Sequence, residues 1–248
     1  MLKRERQEFI IHQLHLHNKV LSTDLSVKMQ VSEDTIRRDL LELAEAGRII
    51  KVHGGAISRS FRPSLQNSEI YSLEKKKVIA QKALTLLRDG MFFFSTGGTT
   101  ITELARSIPD SVQATVITGS LPAAFEYIRH PQLDVIFIGD RVSRSAQLTV
   151  GPDAIARIAQ FNADLCFLGT NALSDTKGLT DNDLEVAQVK QALIANAARV
   201  VALTISEKIN TVQKIQVCPL HAIHTIITEL PPEDPLLRPY RDAGIEVL

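Results

Sequence analysis

Two short runs combine residue types and spacings that can do chemistry. Residues 95–100, STGGTT, place two glycines that let a backbone approach an anion beside threonine hydroxyls. They also stand just ahead of a segment with Ile101, Leu104, Ala105 and Ile108 on one helical face. A helix opening there offers unpaired N–H groups and the positive end of its dipole, so Thr96, Gly97, Gly98, Thr99 and Thr100 read as a phosphate cradle, with a plain tight turn as the alternative. The run is not a dinucleotide fingerprint, because the third glycine and the later acid are missing. In residues 32–40, SEDTIRRDL, the buried-face spacing of Ile36, Leu40, Leu43 and Ala44 turns Glu33, Thr35, Arg37 and Arg38 outward. Guanidinium groups there can fork onto a guanine edge or grip phosphate, and Thr35 can meet a base edge or a phosphate oxygen; ordinary solvated charge is the alternative.

Each run needs partners. Residues 22–29 form a second amphipathic segment through Leu25 and Met29, separated from the Ser32 cap by Gln30 and Val31, which is helix-turn-helix spacing. After Gly47, two apolar runs around Gly54-Gly55 predict a β-hairpin, the wing of a winged helix-turn-helix. The expected DNA-facing set is Ser22, Thr23, Ser32, Glu33, Thr35, Arg37, Arg38, Lys51 and His53. Around the cradle, Thr118, Gly119 and Ser120 follow one apolar run, and Lys190 and Lys208 can each balance a phosphate dianion as point charges. Glu185, near a helix start, either binds sugar hydroxyls or complements the helix dipole.

The elements that position these residues follow from the apolar pattern. Runs at 91–95, 115–118, 134–139, 164–169, 199–205, 224–228 and 245–248 are short, continuous and rich in β-branched or aromatic residues. Helical stretches at 102–107, 122–129, 152–160 and 184–198 alternate with them, which predicts an α/β domain with a mostly parallel sheet. Ligands in such a sheet sit beyond the carboxyl ends of the strands. Residues 4–17 predict a first helix buried through Phe9, Ile10 and Leu14, with His12, His15 and His17 at the surface or near phosphate, and residues 18–20 a turn. Residues 58–73 predict a linker whose Arg59 and Arg62 either track DNA backbone or stay solvated. The helix at 74–87 should bury Val78, Ala83 and Leu86 or Leu87, with Lys75, Lys76 and Lys77 in a solvated first turn rather than on DNA.

The 28 Lys+Arg and 28 Asp+Glu of the 248 residues cancel, but residues 1–62 hold 11 basic and 8 acidic side chains, the sign phosphate contacts need. Two cysteines, Cys166 and Cys218, are too few for a disulfide framework or metal cage and read as reduced core thiols. With neither a membrane-length apolar run nor a leader-like start, a cytoplasmic protein is expected, without metal or cofactor.

The chain resembles the DeoR-type bacterial transcriptional regulators. The resemblance rests on Ser32, Thr35, Ile36, Arg37, Arg38, Asp39, Leu40, Gly47, His53, Gly54, Gly55 and Ala56 in the first half. In the second half it rests on Gly98, Thr99, Thr100, Thr118, Ser120, Leu121, Gly151, Pro152, Ala154, Gly178, Leu179, Thr180, Glu185, Ala187, Val189, Lys190, Ser206 and Lys208. It implies a winged helix-turn-helix domain at 1–57 and a sensor domain at 74–248, similar in fold to ribose-5-phosphate isomerase, that binds a phosphorylated sugar and lowers affinity for a double-stranded DNA operator. Asp39, next to Arg38, is expected to be a structural acid rather than a base reader, orienting a guanidinium or capping a neighbouring group. Thr96, Gly119, Asp140 and Ile205 stand where the family carries Asp, Asn, Gly and Asp, so polar groups that read sugar hydroxyls are removed while phosphate binding is kept. A repressor of carbohydrate-metabolism genes acting as a homodimer or homotetramer is the expectation. The alternatives are a sugar-phosphate isomerase using Glu185 or Asp164 as base and a regulator with a degenerate effector pocket.

Overall fold

The computed structural model describes residues 1–17, 19–58 and 70–248. It divides into two compact units, Met1–Tyr71 and Ser72–Leu248. Most of the expected linker, with Arg59 and Arg62, lies outside the described residues, and Leu73 already belongs to a helix.

In the first unit, α1 (Lys3–His17), α2 (Ser22–Met29) and α3 (Glu33–Glu45) enclose a core of Ile10, Leu14, Leu25, Ile36, Leu40 and Leu43. The hairpin strands β2 (Ile50–Val52) and β3 (Gly55–Ile57) turn at His53 and Gly54. A third strand, β1 (Lys19–Leu21), pairs antiparallel with β3 where the pattern predicts a turn. Asn18, the start of that expected turn, lies outside the described residues. Three residues are too few for an alternation to show in sequence. Gly55 is fixed by this pairing, since a Cβ there would lie 1.9 Å from the Val20 carbonyl oxygen.

Two further expectations for this unit are corrected, and a third gains its partner. Phe9 is only partly buried, and Ile11 joins Ile10 and Leu14 in the core. His17 is buried rather than at the surface, and His15 stacks on Tyr71 with ring centroids 5.1 Å apart. Asp39 does orient a guanidinium, but that of Arg6, 33 residues upstream, at 2.7 and 3.2 Å.

The second unit holds all seven expected strands: β4 (Phe92–Ser95), β5 (Ala114–Thr118), β6 (Leu133–Phe137), β9 (Ala163–Gly169), β12 (Ala197–Leu203), β14 (Thr225–Ile227) and β15 (Glu246–Val247). They form one sheet in the order β15-β14-β12-β9-β4-β5-β6, with every neighbouring pair parallel. Its helices include α4 (Leu73–Leu84), α5 (Thr99–Ser107), α6 (Leu121–Tyr127), α7 (Pro152–Ile158) and α8 (Leu184–Ala195). Five unexpected short strands build two antiparallel pieces at the strand ends: the hairpin β7 (Arg141–Ser143) and β8 (Leu148–Val150), and a small sheet of β10 (Ala172–Ser174), β11 (Gly178–Asp181) and β13 (Ile215–Cys218).

On α4 the buried face is Lys76, Ile79, Ala80 and Ala83, while Val78 is exposed. The buried stripe is therefore displaced from the predicted one, and Lys76 is not in a solvated turn. No described helix is long and apolar enough to cross a membrane.

Candidate nucleic-acid interface and effector site

Ser32 caps α3, its hydroxyl oxygen accepting from the Thr35 N–H at 3.3 Å and lying 2.9 Å from the Thr35 hydroxyl. The two arginines of the helix are both exposed but are not equivalent. Arg37 is held by Glu33 at 3.1 Å and Asp34 at 3.2 Å, so two acids of the first turn already face its charge. Arg38 has neither an ion pair nor a hydrogen bond to any described residue. Thr23 at the start of α2, Lys51 on β2 and His53 in the turn are also exposed. Ser22 is not: it is buried, Leu21 rather than Ser22 occupies the cap position, and the Ser22 N–H donates to the Gly54 carbonyl at 2.8 Å. That backbone bond ties α2 to the hairpin.

Arg38→Ala should therefore weaken duplex binding more than Arg37→Ala. If Arg38 reads a base edge, its removal costs about 1 to 3 kcal/mol and relaxes specificity at one position; if it grips a phosphate, the salt slope falls by about one unit. Fluorescence anisotropy across a salt series separates the two. A larger loss for Arg37→Ala would show that its acidic clamp opens on DNA and that Arg38 is not the principal DNA-binding arginine.

In the second unit the loop after β4 enters α5 through Gly98, the N-cap residue, at φ 108°. That backbone suits glycine, and a Cβ built there would meet nothing within 4 Å, so the outer side of the loop is open. Gly97, Gly98, Thr99 and Thr100 are half-buried, accessible from one side. A buried hydroxyl network fixes the loop from below. Tyr127 donates to the Ser95 hydroxyl at 2.8 Å, Thr118 donates to the Ser95 carbonyl at 2.8 Å, and the Ser120 N–H donates to the Thr118 hydroxyl at 3.1 Å. Burial pushes the Tyr127 hydroxyl well above its usual range, so it remains a donor.

Several expected ligand groups are thus part of the frame. Thr96 is buried and accepts the Gly169 N–H at 2.8 Å, joining the ends of β4 and β9. Thr118 and Ser120 are buried, and Ser120 caps α6. A Cβ on Gly119 would lie 2.1 Å from the Thr149 hydroxyl oxygen, so a larger residue there would have to turn that hydroxyl aside. Ile205 is a buried apolar residue.

The cations also divide. Lys190 is buried, donating to Asp181 and to the Gly169 carbonyl, both at 2.8 Å, so its charge is already matched. Despite the cost of its own burial, Asp181 titrates below its usual range because Lys190 and then Asn171 favour its charged form. Lys208 donates to the Thr170 carbonyl at 2.8 Å. Burial, then the positive charges of Lys76 and Lys190, push it down to about 7.

Pattern reading misses Lys76. It is 4 % exposed, and burial pushes it down to about 8 against the opposing pull of Glu207 and Glu103. Its neighbour Lys75 donates to Ser206 at 3.2 Å and Glu207 at 2.8 Å, which docks the start of α4 on the turn bearing Lys208. The Thr170 hydroxyl, buried beside this group, has no hydrogen-bond partner among the described residues. An unpaired buried hydroxyl and two lysines held below their usual range favour an arriving anion.

Glu185 forms an ion pair with Arg141. Asp140 sits at the start of α7, accepting the N–H groups of Asp153 and Ala154 at 3.1 Å each. These backbone bonds, led by that from Arg141, hold its carboxyl below the usual range.

A winged helix-turn-helix carried on the same chain as a separate parallel α/β unit is the architecture of a transcription regulator with a sensor domain. The DeoR-like helix-turn-helix domain matches residues 6–61 and the DeoR C terminal sensor domain residues 72–230, and the chain belongs to the DeoR family. It is 31 % identical to the HTH-type transcriptional regulator GolR of Listeria innocua over 100 % of this chain and 98 % of that one. With GlpR of Haloferax volcanii the identity is 33 % over 92 % and 91 %. With the HTH-type transcriptional repressor GlcR of Bacillus subtilis it is 28 % over 100 % and 96 %. These relatives are regulators, and the protein is a DNA-binding transcription regulator rather than an isomerase. Ribose 5-phosphate isomerase A of Methanocaldococcus jannaschii aligns with 54 % of this chain and 52 % of its own at 16 % identity and a TM-score of 0.40, a likeness too low to carry a functional argument.

Proposed function

We propose that this regulator is a cytoplasmic repressor of carbohydrate-metabolism genes, releasing its operator when a phosphorylated sugar binds at the start of α5. One observation carries this reading. Among α5 to α8, three helices begin beneath a protein oxygen: Ser120 on α6, Asp140 on α7 and Asp183 on α8. The fourth, α5, begins at Gly98 with no side-chain cap. A helix start without a side-chain cap attracts an anion through its N–H groups and its dipole. Lys208 and Lys76 supply the positive charge, and Thr99 and Thr100 the hydroxyls. A homodimer or homotetramer fits a small winged unit, which reaches few phosphates alone and gains a second half-site by pairing. Exposed Phe125 on α6, Ile128 at its C-cap and Phe137 on the outer strand β6 support self-association.

The reading is tested by melting the protein with ribose 5-phosphate, glucose 6-phosphate and their unphosphorylated parents. A ligand at about a hundred times its dissociation constant adds roughly 2.7 kcal/mol to stability, so the phosphorylated compounds should raise the melting temperature of the second unit and the free sugars should not. Equal shifts for both sets would remove the phosphate from the recognition. Isomerisation that disappears in Glu185→Gln would restore the enzyme reading.

A further inference from the structure

We propose that Arg141 is a built-in competitor of the effector: it occupies Glu185 until a sugar hydroxyl displaces it, and so sets how much effector is needed. The inference rests on the reading of the α5 start as the phosphate site.

Two walls rise beside that loop. The first is the β7–β8 hairpin, where the Thr149 N–H donates to the Gly119 carbonyl at 2.9 Å and the Leu121 N–H to the Gln147 carbonyl at 3.0 Å. The Ala146 carbonyl of the same hairpin lies 3.8 Å from the position a Cβ on Gly97 would take. The second wall is the start of α8, tied to the end of β9 from both sides. Asn171 donates to Asp181 and Asn182 at 3.1 Å each, and Lys190 reaches back to the Gly169 carbonyl. Arg141 opens the first wall and Glu185 lies in the first turn of the second, so their ion pair joins the two walls.

Among Asp140, Asp181, Asp183 and Glu185, the carboxylate of Glu185 is the one held by Arg141 alone. Asp140 is committed to the N–H groups of Arg141, Asp153 and Ala154, and Asp183 to those of Glu185 and Val186. Asp181 is spent on Lys190. Arg141 meets only one oxygen of Glu185, and the two side chains are 61 % and 44 % exposed. Exposed ion pairs are weak, so this one opens readily, and a carboxylate freed at a binding-site rim accepts hydrogen bonds from vicinal hydroxyls.

The test titrates the full-length protein by calorimetry with ribose 5-phosphate, glucose 6-phosphate and fructose 1-phosphate, using inorganic phosphate to probe the α5 start alone. Arg141→Gln should tighten at least one sugar phosphate by about two- to fivefold, the range set by a weak exposed pair, without changing inorganic phosphate. Glu185→Gln should weaken the same sugar phosphate, and the double variant should bind like Glu185→Gln. A merely structural ion pair would give no tightening in Arg141→Gln while inorganic phosphate still binds, and that result overturns the inference alone. If neither inorganic phosphate nor any sugar phosphate binds the wild-type protein, the phosphate site falls and this inference with it.

Discussion

Asp39→Asn should strongly destabilise the helix-turn-helix unit. The Asp39 carboxylate is buried and takes two hydrogen bonds from Arg6, whose side chain is 13 % exposed. Removing one partner of such a pair leaves an uncompensated charge and costs about 3 to 5 kcal/mol. A unit of 71 residues holds about 4 to 11 kcal/mol, at roughly 0.05 to 0.15 kcal/mol per residue, so the loss takes a large share of it. Calorimetry of the full chain should lose its lower transition or shift it strongly downward, while the transition of the 72–248 unit stays in place. The double replacement Arg6→Met with Asp39→Leu should recover most of the loss, since an apolar pair of similar volume avoids the desolvation cost. An unchanged transition in Asp39→Asn would show that the pair contributes nothing to the fold.

That pair also marks where sequence stops being informative. Asp39 can be read as structural from its place in the helix, but its partner lies 33 residues away and nothing in the pattern points to Arg6. The seven strands of the parallel sheet are legible because strands covered on both faces must be continuous apolar runs. The other strands of that unit, β7, β8, β10, β11 and β13, are not, having only three or four residues each and lying at strand ends where polar and apolar positions mix. Lys76 sits in a three-lysine run whose composition argues for solvent, and it is buried because α4 docks on the turn at Ser206–Lys208. The cradle can be placed from STGGTT alone, but sequence does not distinguish the groups facing its open side from Thr96, Thr118 and Ser120, which hold it from beneath. The acids at Asp140 and Glu185 are visible in the chain, but what occupies them is not.

Gly98→Val should abolish the effector response. The position has φ 108°, which a β-branched residue adopts only at a cost of about 1 to 3 kcal/mol. The added side chain would project where no protein atom lies within 4 Å, into the space an anion needs to reach the α5 N–H groups. Operator binding should be spared, because its residues belong to the 1–71 unit.

Whether a phosphate at the α5 start controls the grip on DNA is decided by fluorescence anisotropy of an operator selected by the wild-type chain from a random duplex library, titrated with and without the three sugar phosphates. At least one sugar phosphate should weaken wild-type binding by about 5- to 150-fold, the usual range of coupling between two sites, with no effect of the free sugars and none on Gly98→Val. Wild-type operator affinity that is the same with and without every phosphorylated sugar, or a Gly98→Val protein that is released as readily as wild type, would contradict it.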